Sequence, residues 1–182
     1  VKDPELQVAA RSVTARTYFN TSDYAAARDI LEADFAKGLS VAVLLTGTLM
    51  WAAVQAALGH SPADIMDRAG ALLDAGERLA REHPEDAEGI LSATRERYAT
   101  MHAMVFALAG EYPENAGTEA GVFAGPPANT LEAAFRLALE SEQLLVQGKA
   151  VQAFARVSEA LESAGSGHDE LYFLAEFLVA RA

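Results

Sequence analysis

The sequence has no cysteine among its 182 residues. That removes disulfides, thiolate catalysis and cysteine-ligated metal in one step, and it fits a reducing compartment. Lysine is scarce: Lys2, Lys37 and Lys149 are the only three among 14 basic residues. With abundant alanine, this Arg-over-Lys balance reads as the habit of a GC-rich bacterial genome. Positive charge is short overall, with a formal net charge of -12. A field of that sign repels phosphate backbones and anionic membrane surfaces, so nucleic acid is not an expected partner. The opening Val1-Lys2-Asp3-Pro4 lacks the basic region and apolar core of a signal peptide, and the expected localisation is cytoplasmic.

Long hydrophobic runs are missing with one exception. From Leu39 to Ala63 no residue is charged, and Leu39–Leu58 approaches the length of a bilayer span. Thr46, Gly47, Thr48 and Gln55 interrupt it, no second such segment exists, and its flanks carry no basic bias. A buried central helix is therefore expected, since a helix apolar all round must be covered.

What is present is helical punctuation. Apolar residues make up 51% of the chain and charged ones 22%, a globular mixture. Pro4 opens a helix to about Phe19. Ser22 is expected to cap a second, Asp23 to Lys37, closed by Gly38. Ser40 caps the apolar helix, which Gly59 ends. Ser61-Pro62 starts a fourth, stopped after His83 by Pro84. Pro84 opens a fifth with Glu85, Asp86 and Glu88 in its first turns, ending at Gly110. Asn129 caps the next, Gly148 breaks it, Gly165 ends its successor, and a last helix runs from about Asp169. No window alternates as a strand does. The expected fold is all-α: about eight helices in antiparallel hairpins, a repeat-like array or bundle. It is read as one domain, 1–182, with five helices over 4–110, an irregular loop over 111–128 and three helices over 129–182.

Periodicity supports this map. In the fifth helix Ala87, Leu91, Thr94, Tyr98, Met101, Val105 and Leu108 step by four and three, a seam for a neighbouring helix. In the fourth, Ile65, Ala69, Leu72, Gly76 and Leu79 form one face. Asp64/Arg68, Asp74/Arg78 and Glu77/Arg81 lie four apart on the others and are expected to pair.

Short connections give hairpins near 4–38, 40–83 and 130–164. In 134–165, Leu137, Ser141 and Leu144 lie on one helix, Gly148 at the turn, and Ala153, Val157, Ala160 and Leu161 on the next. This order resembles a tetratricopeptide-type hairpin, in which small residues let the two helices approach closely. Leu144 stands where that family carries an aromatic, and Gly165 where a proline is usual. A fainter echo covers 11–38 through Ala15, Tyr18, Asp23, Tyr24, Ala27 and Leu31, with Asp34 where a small residue belongs. The resemblance spans about a third of the chain. It implies an interaction scaffold.

Catalytic signatures are missing. No histidine has a carboxylate three residues before it, no His-Glu-x-x-His occurs, and 116–121 lacks the lysine of a phosphate loop. Gly165-Ser166-Gly167 is a plain linker, not a nucleophile elbow. No cofactor is called for, and a non-enzymatic protein is expected. His60, His83 and His168 sit at helix ends or turns. His102 borders the seam beside Met101, where a buried imidazole can bind a ligand or act as a base.

Two functional readings follow. The first is a protein-interaction module that associates with itself, because Tyr172, Phe173 and Phe177 leave the last helix with more apolar surface than one buried face needs. The second is a sensor or carrier of a small apolar molecule. Its pocket would be lined by Trp51, Tyr98, Met101 and His102, with 111–128 as a lid carrying Tyr112, Val122 and Phe123.

Overall fold

The computed structural model describes residues 3–109, 126–127 and 130–164. These residues form eight helices and no strand: α1 (Pro4–Asn20), α2 (Tyr24–Phe35), α3 (Val41–Thr46), α4 (Thr48–Ala57), α5 (Pro62–Glu82), α6 (Ala87–Ala109), α7 (Thr130–Val146) and α8 (Ala150–Ala164). The fold is all-α. The chain divides into two units, 1–101 and 102–182, with the boundary inside α6 between Met101 and His102.

Ser22 is not the cap expected of it. Its φ of +61° places it in the left-handed region, and the Asp23 N–H reaches back to the Tyr18 carbonyl at 2.8 Å. Ser22 thus closes α1 in the way glycine usually does. Gly59 (φ +79°) and Gly148 (φ +74°) close α4 and α7 through the same backward bond, from His60 to Gln55 and from Lys149 to Leu144. The cap of α2 is Asp23, whose carboxylate accepts from the Ala26 N–H at 3.2 Å.

The apolar helix is two helices. Ser40 caps α3 by accepting from the Val43 N–H. The helix is then interrupted at Gly47, and α4 begins at Thr48. Thr46 and Thr48 donate their hydroxyls to the carbonyls of Ala42 and Leu44, a back-bonding that bends helices. A side chain at Gly47 would stand 3.1 Å from the Val43 carbonyl oxygen. Every residue from Thr48 to Ala56 is buried, and among the described residues no helix is long and apolar enough to cross a membrane.

In the first unit α1 and α2 form a hairpin around Ala15 and Ala27, both fully buried. The pair is pinned by Arg11, whose Nε lies 2.7 Å from the buried Asp34 carboxylate, and whose Nη2 donates to the Ile30 carbonyl at 3.1 Å. Helices α3 and α4 pack on this hairpin. Helix α5 starts with Pro62 at its first turn and ends before Pro84, as its punctuation requires. Residues 84–86 form a turn, so α6 begins at Ala87 and not at Pro84. Gly76 of α5 meets Thr94 of α6 so closely that an added Cβ would lie 2.7 Å from Thr94 Cγ2.

In the second unit α7 and α8 form a hairpin. Ala138, Ala153 and Ala160 are buried, as are Phe135, Leu139 and Val157. Ser141 is also buried, and its hydroxyl donates to the Ala153 carbonyl at 2.9 Å. Arg156 ties the helices from outside, reaching Glu140 and Glu159. The fully buried Glu132 is paired one turn along α7 with Arg136. Asn129, Gly165 and the last helix expected from Asp169 lie outside the described residues.

Candidate functional site

The first unit contains a group of polar and aromatic side chains contributed by three helices. On α4, Thr48, Trp51 and Gln55 share one face by their three- and four-residue spacing. On α2, Glu32 and Phe35 lie one turn apart and address that face. The Trp51 indole N–H donates to Glu32 Oε1 at 2.7 Å, and the Gln55 amide donates to the same oxygen at 3.3 Å. From α5, Arg68 donates to Glu32 Oε2 at 2.6 Å. One carboxylate therefore holds three donors from two helices. The Arg68 guanidinium carbon also lies 4.9 Å from the Trp51 ring centroid and 5.8 Å from that of Phe35, within cation–π range. Phe35 and Trp51 meet edge to face at 5.7 Å.

This arrangement replaces the local ion pairs expected along α5. Arg68 leaves Asp64 for Glu32, where it gains a carboxylate and an aromatic face together. Among the described residues, no carboxylate lies within ion-pair distance of Arg78 or Arg81 either. Their helix-surface neighbours are exposed, and such pairs have little energy to hold them.

A cavity of about 280 Å³ opens beside the network. Trp51 and Thr48 of α4, Phe35 of α2 and Leu39 line it, with Ala69, Leu72 and Ala75 of α5 and Met101 of α6. Its rim carries Ala71 and two arginines, Arg68 and Arg78. Ten residues apart on one helix, these arginines are separated by about 15 Å of helix rise. The lining between them is aliphatic and aromatic. The cavity thus combines an apolar body with a cationic rim, in a chain of net charge -12.

Of the pocket residues expected from sequence, Trp51 and Met101 line this cavity, while Tyr98 and His102 are not among its lining residues. Tyr98 is half-buried one turn before Met101. His102 belongs to the second unit, half-buried with its ring centroid 4.7 Å from that of Phe106. Burial pushes its pKa from 6.5 down to about 4, which keeps the imidazole neutral at pH 7. The candidate lid residues Tyr112, Val122 and Phe123, and the candidate interface residues Tyr172, Phe173 and Phe177, lie outside the described residues. From sequence, Glu32 and Phe35 have no expected role and Arg68 is assigned to Asp64, whereas Arg68 pairs with Glu32. Their only sequence signal is weak: Glu32 precedes Phe35 by one turn, as Gln55 follows Trp51.

Fold and cavity together define an all-α chain whose first unit carries an amphipathic pocket. No family model, no curated protein and no solved structure matches it.

Proposed function

We propose that this protein is a small-molecule-binding sensor or carrier whose site is the cavity of the first unit. The observation that carries the proposal is the cavity itself, about 280 Å³ bounded by Trp51, Leu72 and Met101. It approaches the size usual for ligand pockets, and it has their composition: a mostly apolar lining with a few placed polar groups. The network around Glu32 supports the same reading, because it fixes the orientation of Trp51 and Arg68 before any ligand arrives. A preorganised wall lowers the entropic cost of binding.

Trp51 is the sole tryptophan, so its fluorescence reports on this cavity alone. The test is a metabolite screen followed by Trp51 emission and thermal shift. Binding is expected to move both signals in parallel and saturably. A library that leaves both unmoved contradicts the proposal.

A second reading, a protein-interaction module that associates with itself, is favoured by one observation on α8. Val151 is 85% exposed and Phe154 53% exposed, one turn apart. Their exposure and the tetratricopeptide-like residue order of the α7–α8 hairpin support a docking face. Light scattering across a concentration series tests it. Association that weakens in Phe154→Asp is expected, and a monomer at every concentration overturns this reading.

A further inference from the structure

We infer that the cavity of the first unit selects an apolar monocarboxylate of about ten non-hydrogen atoms, with Arg78 as the group that receives the carboxylate. The inference rests on the binding reading above and specifies the chemistry of its ligand.

The two rim arginines are not equivalent. Arg68 is occupied: its guanidinium is neutralised by Glu32 at 2.6 Å and stacked near the Trp51 ring. Arg78 lines the same cavity, yet among the described residues no carboxylate lies within ion-pair distance of it. A guanidinium presents five donors in a fork that matches a carboxylate. Arg78 therefore holds uncommitted donors at the mouth of an apolar space.

Cationic ligands are disfavoured from two sides. The Trp51 face, the usual seat for an organic cation, already has Arg68 over it at 4.9 Å. Any cation entering would also stand near two guanidinium groups without a free carboxylate, since Glu32 is engaged by Trp51, Gln55 and Arg68. A neutral apolar ligand would fill the cavity but leave Arg78 unused. Leu72, Ala75, Leu39 and Met101 offer an apolar tail no polar partner. A volume of about 280 Å³ is roughly twice the ~150 Å³ of a cavity that takes up the six carbons of benzene. That sets the size near ten heavy atoms. Octanoate meets the description.

The experiment titrates the full chain with octanoate, octan-1-ol and octylamine, matched in length and differing in head group, following Trp51 emission. Octanoate is expected to bind about three- to five-fold tighter than the other two, the contribution of an ion pair with an exposed arginine. Arg78→Gln is expected to bring octanoate to the level of the alcohol. Arg78 is exposed, so the variant keeps the fold, and unchanged Trp51 emission in the free protein checks this. Equal binding of all three probes, or octanoate unaffected by Arg78→Gln, overturns the carboxylate inference and leaves the binding site standing. Tightest binding by octylamine overturns it as well. No response to any probe contradicts both the inference and the reading beneath it.

Discussion

The Trp51 indole N–H and the Glu32 carboxylate meet at 2.7 Å, joining α4 to α2 across 19 residues of sequence. Trp51 is only 4% exposed, and Glu32 is the acceptor its indole N–H finds. Replacing Glu32 with Ala strips Trp51 and Gln55 of their acceptor and Arg68 of its counter-charge. Leaving a buried donor unsatisfied costs about 1–3 kcal/mol, and Glu32→Ala is expected to lose that much in urea denaturation. A loss below about 0.5 kcal/mol, the size of an ordinary surface change, contradicts the role given to this carboxylate.

Gly76→Ala should reverse the usual helix preference. In an exposed helix interior, Ala is favoured over Gly by about 1 kcal/mol. At Gly76 the new methyl would stand 2.7 Å from Thr94 Cγ2 and 2.9 Å from Thr94 Cβ. Overpacking of that kind costs about 1–3 kcal/mol. A fall in Tm is expected, with part of it restored by Thr94→Ala in the double variant. Gly70→Ala is the control, because nothing lies within 4 Å of its added Cβ. Equal effects at Gly76 and Gly70 contradict the close approach of α5 and α6.

The Arg11–Asp34 pair should respond asymmetrically. The side chain of Asp34 is 6% exposed and that of Arg11 37%. Removing Arg11 strands a buried carboxylate, with Lys37 at 3.8 Å as its remaining cation. Removing Asp34 frees an arginine that reaches water. Arg11→Ala is expected to cost about 2–4 kcal/mol and Asp34→Ala clearly less, since the uncompensated buried charge dominates. Denaturation midpoints in the opposite order contradict the burial argument.

These residues show where the sequence was legible. Pro62, Pro84, Gly59 and Gly148 act through their own backbone geometry and Ser40 through a hydroxyl bonded three residues along, so a local reading finds them. The break at Gly47 also has a local cause, but the apolar run around it carries a stronger signal for one continuous helix. Ser22 misled because a serine before an acidic residue reads as a cap, whereas here it closes the preceding helix. Asp34 counted against a repeat pattern in the first hairpin, and its partner Arg11 lies on the other helix. The Glu32 network was illegible for the same reason: its partners lie 19 to 36 residues away. Nothing in a helical period specifies which neighbouring helix a side chain will meet. Trp51, on the apolar helix, and Met101, on the seam of α6, are buried because large apolar side chains must be covered, and both line the cavity.

His102 makes stability depend on pH. Its folded pKa of about 4 lies below the ordinary 6.5, so the unfolded chain binds the extra proton between those values. Stability contributed by the neutral imidazole is therefore full above about pH 6.5 and is lost as pH falls toward 4. Allowing for its partial exposure, the effect is about 1–2 kcal/mol. His102→Gln is expected to flatten the stability profile between pH 4 and 6.5 relative to the unchanged chain. Identical slopes for the two proteins contradict the burial of this imidazole.

The most direct test of the binding site fills it. Ala75 is buried in the cavity wall, and Ala75→Phe places a ring in the space a ligand needs. The measurement is the thermal-shift and Trp51-emission screen repeated on this variant beside the unchanged chain. The expected result is saturable binding by the unchanged chain that disappears in Ala75→Phe, while the variant still unfolds cooperatively. Ligands that bind both proteins equally well would place the site elsewhere and contradict the cavity as the functional centre.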